Sequence, residues 1–283
     1  MPNTIILNSN NIVKDQYQNR LIYRFPHSMN LDHHEIAVAS IQMYYSWFNI
    51  SSQYGNNSFS YKWFDNITYS VLIPDGFYTV KNLNGYLQSV MIANKHYLFD
   101  NNLRVNVYFL EIVDNSVSYS IQINAYPLSS SYASSKTWVL PSGATWTIPS
   151  SNSILQINIL SNNFTNIIGF NSGSYPSLPG TIDTSIIYSS KSSYCPQVSP
   201  VNSLMMTCSL VNSSYGNPTN IICSFSQNVS FGSMIDYKSS EFAYNDIYKS
   251  NYSDFTIVFL DQNLNPIRII DPSMVITLLI KEK

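Results

Sequence analysis

The most informative part of the sequence covers residues 67–97 and reads ITYSVLIPDGFYTVKNLNGYLQSVMIANKHY. Up to Ile73, β-branched and aromatic residues occupy every second position, which predicts a strand. Pro74-Asp75-Gly76 predicts a turn, because proline restricts φ, aspartate can bond its own backbone and glycine admits positive φ. Apolar residues then recur at helical spacing over residues 82–93, with Thr79 or Asn82 as the cap. This is the one convincing helix in a sequence that otherwise predicts an all-β protein.

Alternating segments on both sides of this landmark predict further strands. Before it they cover residues 20–25, 35–45 and 58–64, the last forming a hairpin with 68–73 around Asp65-Asn66. Pro26 should end the first of them, with a polar loop over 27–34. After the landmark, residues 103–113 and 118–126 predict a hairpin around Asp114-Asn115. A loop is expected next, at 127–149, anchored by Trp138 and Trp146. The later strands are expected at 155–160, 184–188, 204–211, 220–225, 256–260 and 274–280.

Many strands at short, even spacing predict an all-β fold, specifically a single antiparallel jelly-roll sandwich with an inserted helix-plus-hairpin segment. We place the jelly-roll body at residues 20–283 and the insertion at about 75–182. Residues 1–19 are polar and rich in Asn, with a short apolar run at 5–7. They predict an N-terminal arm that becomes ordered against another protein, or a frayed terminus.

The chain is unusually poor in charge. Charged residues make up 11% of the sequence and hydrophobic residues 45%, whereas a soluble domain typically has about 25% charged residues. A surface of Asn, Ser, Thr and Tyr repels itself weakly and suits contact with other protein surfaces; a biased genome would explain the same composition. The net charge of −2 and the pI near 6.0 argue against a dedicated nucleic-acid binder.

Catalytic motifs are missing from the sequence. It contains no G-x-S-x-G, Walker loop, G-x-G-x-x-G or H-E-x-x-H motif. Asp75 and Asp271 stand beside proline and turn residues, so turn chemistry explains them better than a general acid/base pair. We therefore predict that the protein is not an enzyme and assign no catalytic or cofactor-binding residue and no cofactor.

Metal and disulfide chemistry is also not predicted. The cluster at residues 32–35, Asp-His-His-Glu, is the one candidate for a divalent metal, but adjacent residues of an extended chain point to opposite faces. Cys195, Cys208 and Cys223 are odd in number and widely spaced, which predicts free thiols. We assign no metal ligand.

The N-terminus has no basic start and too short an apolar run for a signal peptide. No stretch approaches the roughly 20 apolar residues of a membrane helix. We expect synthesis in the cytoplasm and no transmembrane segment.

Several stretches resemble the penton (vertex capsid) proteins of virophages and, more distantly, those of Maverick-type elements and adenovirus-like viruses. The stretches are IAVASIQMYYSW (36–47), YSVLIPDGFYTVKNLNGYLQ (69–88), FTNIIGF (164–170) with GSYP (173–176), LMMTCSLVNSSYGNPTNIICSFS (204–226) and DFTIVFLDQNLNPIRIIDPSMVITLLI (254–280). The last looks like the final two jelly-roll strands of that family, joined by a corner with Asp261, Pro266, Ile267, Asp271 and Pro272.

The resemblance implies a single jelly roll with an insertion, assembled as a homopentamer at the icosahedral five-fold vertex of a virion. Its partners would be further copies of itself, the major capsid protein and minor capsid proteins, with no specific nucleic acid. Because a closed five-fold ring needs two different faces of each subunit to meet, we hypothesise that strand edges and the inserted hairpin supply those faces. The arm would run under the shell to neighbouring capsomers.

Other functions remain open at this point. The first is a viral glycan- or receptor-binding head that uses Trp138, Trp146 or the Tyr-rich loops. The aromatic run at 44–48 could likewise stack on sugars, although core or interface packing explains it better. A hydrolase with paired carboxylates has little support among 16 acidic residues. A major capsid protein with a double jelly roll would need about twice as many strands.

Overall fold

A computed structural model describes residues 2–15, 20–134 and 137–283. Before residue 49 its strands are β1 (Asn3–Asn8), β2 (Ile12–Lys14), β3 (Arg20–Asn30) and β4 (His34–Tyr44). The strands between residues 49 and 200 are β5 (Ser58–Lys62), β6 (Thr68–Leu72), β7 (Leu98–Asp100), β8 (Val105–Val107), β9 (Leu110–Asn115), β10 (Ser120–Ala125), β11 (Trp138–Val139), β12 (Gln156–Ile159), β13 (Gly173–Tyr175) and β14 (Tyr188–Lys191). The α-helices are α1 (Val80–Ala93) and α2 (Phe164–Ile168). The remaining strands are β15 (Leu204–Cys208), β16 (Ile221–Phe225), β17 (Met234–Lys238), β18 (Asn245–Asp246), β19 (Asn251–Leu260) and β20 (Val275–Glu282).

The chain divides into two compact units. Unit 1 combines Met1–Phe48 with Val201–Lys283, and unit 2 is Asn49–Pro200. Along the sequence, unit 2 therefore lies between β4 and β15. It contains the whole of the segment predicted as an insertion at about 75–182 and extends beyond it at both ends, so that the β5–β6 hairpin also belongs to unit 2.

Unit 1 is a jelly roll. One sheet has the order β1-β20-β4-β17, with β18 also on β4, and the other has the order β16-β15-β19-β3-β2. If the short β2 and β18 are left out, the other eight strands can be numbered one to eight along the chain. Their order is then 1-8-3-6 in one sheet and 5-4-7-2 in the other, and all neighbouring strands are antiparallel. This is the strand order of two Greek keys wound into a jelly roll. The prediction of an all-β single antiparallel jelly roll with an inserted segment is confirmed.

The long strands of unit 1 follow the period of two in their sequence. On β20, Ile276, Leu278 and Ile280 are buried, while the residues between them are only partly covered. On β19, Phe255, Ile257 and Phe259 are buried in the same way. Successive side chains of a strand point to opposite faces, so each sheet presents one apolar face. Each fully buried side chain of this size contributes about 1.5–3 kcal/mol.

The N-terminal segment differs from the prediction of an arm over residues 1–19. Residues 3–8 form β1, which pairs with β20 over six residues, and β2 pairs with β3. Leu7 is buried while Ile6 is exposed, because successive side chains of this edge strand point to opposite faces. The described part of this segment is therefore the first strand of the jelly roll. Met1 and residues 16–19 of the predicted arm lie outside the described residues.

The first body strand also continues past Pro26, where the sequence predicts its end. Strand β3 covers Arg20–Asn30 and includes part of the predicted loop at 27–34. Its ladder with β19 is interrupted between Arg24 and Met29, where the register shifts. Proline has no backbone N–H and is tolerated at such a bulge, because no ladder hydrogen bond is formed there.

The landmark stretch in unit 2 folds largely as predicted. Strands β5 and β6 form the expected hairpin, and α1 begins two residues earlier than the predicted helix. Thr79 is the cap: its hydroxyl accepts from the N–H of Asn82 at 3.2 Å, and the Asn82 amide oxygen accepts from the N–H of Thr79 at 3.2 Å. Leu83, Leu87 and Met91 form the buried face of α1. The short helix α2 was not predicted.

Two other strand predictions in unit 2 are corrected. The predicted hairpin 103–113/118–126 is real only for β9 and β10, whereas β8 pairs with β7. The reason is the Asp100 carboxylate, which accepts the N–H groups of Asn102 and Leu103 and so forms a tight turn between β7 and β8. The strand predicted at 184–188 begins at Tyr188, because Asp183 accepts from Ser185 and holds that region in a turn. Residues 135–136 of the predicted loop at 127–149 lie outside the described residues.

Candidate interaction surfaces and a polar cleft

Ionisable groups are scattered over the described residues. Among them, no group of three or more His, Cys, Asp or Glu side chains could hold a metal ion. In the cluster at 32–35, His33 adopts a positive φ of 59° in a turn, and Nδ1 of His34 bonds the backbone oxygen of Asp32 at 2.8 Å. Glu35 pairs with Lys281 at 3.4 Å. The structure therefore does not bring these side chains together around one point.

The three cysteines are all free thiols. Cys208 is buried and Cys223 is half-buried in unit 1, while Cys195 is exposed in unit 2. Burial raises the pKa of both the Cys208 and the Cys223 thiol to about 12. These two side chains are consequently protonated at neutral pH and act as small apolar groups.

The two carboxylates assigned to turns accept hydrogen bonds mostly from donors distant in sequence. Asp75 accepts from the N–H of Ser52 at 2.7 Å and from the hydroxyl of Ser51 at 3.0 Å. Asp271 is buried and accepts from the N–H groups of Tyr44 and Ser273, both at 2.7 Å. Only the bond from Ser273 to Asp271 is the local contact that turn chemistry predicts. Ser51 and Ser52 lie 24 and 23 residues before Asp75, and Tyr44 is the last residue of β4.

A buried histidine forms the centre of an aromatic cluster in unit 2. His96 is 2% exposed and stacks on Trp63 with ring centroids 4.5 Å apart. Tyr69 packs edge to face against His96 with ring centroids 4.4 Å apart, and the hydroxyl of Tyr61 lies 2.7 Å from Nδ1 of His96. The histidine is thus enclosed by the β5–β6 hairpin from which all three aromatic residues come.

Hydrogen bonds and burial both favour the neutral form of this histidine. Asn94 donates its amide N–H to the Tyr61 hydroxyl at 3.0 Å. The hydroxyl hydrogen of Tyr61 is then available to Nδ1 of His96, and a neutral imidazole protonated on Nε2 accepts it. Burial lowers the pKa of His96 to about 4 and raises that of Tyr61 to about 12, in agreement with the neutral pair.

Next to this cluster, unit 2 contains a cleft of about 670 Å³. The side chains of Trp63, Phe64 and Trp146 contribute its aromatic lining, with Trp63 and Trp146 packed edge to face at 5.0 Å. The remainder of the lining is mostly polar, with Lys62, Asp65, Asn66, Thr145, Thr147, Ser150, Ser151, Ser153 and Gln156. Leu178 and Ile182 add apolar surface.

Trp138 and Trp146, predicted as loop anchors, are held by hydrogen bonds within unit 2. The Trp138 indole donates to the Asp100 carboxylate at 2.8 Å, and the Trp146 indole donates to the backbone oxygen of Lys95 at 2.7 Å. The anchoring role is confirmed. Trp63, which the sequence analysis did not single out, is the aromatic residue shared by the cleft and the histidine cluster.

Surfaces suited to protein contact are present in both units. In unit 1, β1 and β17 lie at the edges of one sheet, and β2 and β16 lie at the edges of the other. Edge strands offer unpaired backbone groups for pairing with another chain. In unit 2, the turn of the β9–β10 hairpin exposes 98% of Val117 and 72% of Tyr119. We call the turn residues 116–119 the hairpin tip.

In the part of the chain that the structure describes, no helix is long and apolar enough to cross a membrane.

Comparisons with known proteins give matches by structure. No family model matches the sequence, and no curated protein matches it. The structure is similar to that of the mavirus penton protein, with 8% sequence identity and a TM-score of 0.42, over 99% of this chain and 100% of that one. It is also similar to a chain of the cryo-EM structure of the Sputnik virophage, with 14% identity and a TM-score of 0.36, over 100% and 99% of the two chains.

Proposed function

We propose that this chain is a structural virion protein, the penton capsomer that forms homopentamers at the icosahedral five-fold vertices of a viral capsid. The observation that carries the proposal is the strand order of unit 1, a complete eight-strand jelly roll, which is a common building block of viral capsids. Because one fold hosts many functions, the choice of a penton rests on the sequence stretches that resemble that family. The role requires no catalytic step.

The partners follow from the same role. Copies of the chain would form the ring, and the ring would contact the major capsid protein and minor capsid proteins in the shell. The protein would be made in the host cytoplasm and reside in the virion. A charge-poor surface supports this proposal, since subunit interfaces are depleted of charge at their centre.

The ring needs two different faces on each subunit. We assign one of them to the hairpin tip, because a fully exposed valine beside an exposed tyrosine is apolar area that a partner can remove from water. The other face would include an edge strand of the jelly roll. The heterologous contact then joins the tip of one subunit to a different surface of the next.

The mass of the purified protein in solution tests the proposal. Light scattering coupled to gel filtration should give about 160 kDa, five times the 32.1 kDa of the chain, and negative-stain images should show five-fold rings. A stable trimer would contradict the penton assignment and favour a major-capsid or fibre-like head.

A substitution at the hairpin tip tests the assigned face. Val117→Asp should convert pentamers to monomers while the circular dichroism spectrum stays unchanged, because a charge is placed in the buried part of the ring contact. Tyr215→Asp is the matched control, since Tyr215 is fully exposed in a loop of unit 1. Pentamers that persist in Val117→Asp would remove the tip from the interface.

A further inference from the structure

The cleft in unit 2 has no part in the proposed assembly. Its volume of about 670 Å³ lies within the range of about 300–1,000 Å³ that is usual for small-ligand sites. Its lining comes from segments far apart in sequence, at residues 62–66, 145–156 and 178–182. Strands β5, β6 and β12 are hydrogen-bonded neighbours in one sheet and hold the first two segments in place. The cleft is therefore a feature of the folded unit rather than of one loop.

The polar side chains of the cleft are available to a ligand. No hydrogen bond or ion pair joins the side chains of Lys62, Asn66 or Thr147 to any other described residue. Gln156 donates its amide to the backbone oxygen of Pro176 at 2.9 Å, which leaves its amide oxygen as an acceptor. Ammonium, amide and hydroxyl groups together provide both donors and acceptors. Such a mixed set suits a ligand whose own groups can both donate and accept.

The charges of the cleft favour a neutral ligand. Lys62 and Asp65 both line it and carry opposite charges, so neither an anion nor a cation would gain a net electrostatic advantage. The Asp65 carboxylate is already engaged by the Tyr69 hydroxyl at 2.7 Å and by the N–H of Ile67 at 2.9 Å. Leu178, which is exposed, and Ile182 supply apolar surface for the C–H face of a ligand.

A buried indole in the wall of the cleft provides a probe of binding. Trp63 lines the cleft and is 1% exposed, and its indole N–H has no acceptor among the described residues. The indole nitrogen is itself out of contact with solvent, so a ligand in the cleft changes its surroundings without bonding to it.

We propose that this cleft binds a neutral saccharide. Sugar hydroxyls both donate and accept, their rings carry no charge, and their C–H faces pack against apolar side chains; these are the properties that the cleft matches. Recognition uses the rim groups of Lys62, Asn66 and Gln156, since the aromatic side chains below are packed against each other. The proposal is independent of the penton assignment, because assembly of a pentamer does not require the cleft to be filled.

Nuclear magnetic resonance of the indole N–H groups tests the proposal on the full-length protein. The probes are the methyl glycosides of glucose, galactose, mannose and N-acetylglucosamine, each at millimolar concentration. We expect at least one to shift the Trp63 indole resonance in a saturable way. Trp47 is the internal control, because its indole N–H is also buried and without an acceptor in the described chain but belongs to unit 1. No saturable Trp63 shift with any of the four glycosides would overturn the proposal.

Two rim variants locate the site. Lys62→Met keeps the aliphatic stem and removes the ammonium, and Asn66→Gly suits the positive φ of 64° at that residue while it removes the amide. Each should raise the Kd of the bound glycoside by about tenfold. Asn171→Ala is the control, since Asn171 lines a separate, shallower polar depression of unit 2. Equal Kd values in all three variants would overturn the saccharide assignment. So would a competition experiment in which a peptide displaces the glycoside and an excess of other sugars does not.

Discussion

The two units of this chain are stabilised in different ways. In unit 1, the strands β3, β4, β19 and β20 are 11, 11, 10 and 8 residues long, so that long ladders pair much of their backbone. In unit 2, the longest strands have six residues and several have two or three. A chain in short strands must pair its buried backbone groups by other means.

In unit 2, polar side chains form hydrogen bonds with these backbone groups. Of the buried polar residues in the described chain, Thr207 and Asp271 belong to unit 1, whereas unit 2 holds Asn49, Ser51, Asn56, Ser60, His96, Asp100 and Asn124. The Asn56 amide, for example, donates to the backbone oxygen of Asn49 at 2.9 Å, while its oxygen accepts from the N–H of Ser51 at 2.8 Å. The comparison teaches that unit 2 should be the more sensitive to single polar substitutions and to pH.

The largest effect is expected at Asn49. Its amide donates to the backbone oxygens of Tyr78 and Val198 at 2.8 and 2.6 Å, and its oxygen accepts from the N–H of Tyr78 at 2.8 Å. Asn49→Ala leaves three partly buried backbone groups unpaired and should lower the free energy of unfolding of unit 2 by about 4 kcal/mol. Hydrogen exchange read by mass spectrometry should show the loss in unit 2 peptides. Equal loss in β19 and β20 of unit 1 would contradict the contrast between the units.

The next effect is a pH dependence due to His96. Its pKa falls from 6.5 to about 4 in the folded protein, so the stabilisation is fully present above about pH 6.5 and is lost as the pH falls toward 4. The full shift corresponds to about 3 kcal/mol. Urea unfolding followed by tryptophan fluorescence should show this loss in the wild type and not in His96→Gln.

His27→Gln is the control for this measurement, because His27 is exposed on β3. It should keep the wild-type pH dependence. A His96→Gln variant that loses stability between pH 6.5 and 4 as steeply as the wild type would place the pH sensitivity elsewhere.

The smallest effect is expected in unit 1, at Asp271. Asp271→Asn retains one acceptor oxygen for the two N–H groups of Tyr44 and Ser273, and should cost about 1.5 kcal/mol. Exchange of the β20 amides should speed up accordingly, with no change in unit 2. Asp254→Asn, at an exposed position of β19, should have no measurable effect. A loss at Asp271 as large as that of Asn49→Ala would abolish the ranking of the two units.

Local patterns predicted those elements whose determinants are close in sequence. The β5–β6 hairpin has its turn residues between its strands, and Thr79 caps α1 through a residue only three positions away. By contrast, β17 was missed, because Met234 and Asp236 face solvent and leave Ile235 as its one buried residue. Its existence depends on pairing with β4, nearly 200 residues earlier.

The sequence by itself determined the fold class and the helix with its cap, because side-chain period and capping chemistry are local properties. Only the tertiary structure decided that residues 3–8 form a jelly-roll strand beside β20, that His96 is buried and neutral, and that Trp63 lines a polar cleft. Strand period tells which face is buried but not which distant strand lies alongside. Burial depends on neighbours that the fold brings together from distant parts of the chain. Burial in turn determines the pKa of a histidine and whether an indole N–H finds an acceptor.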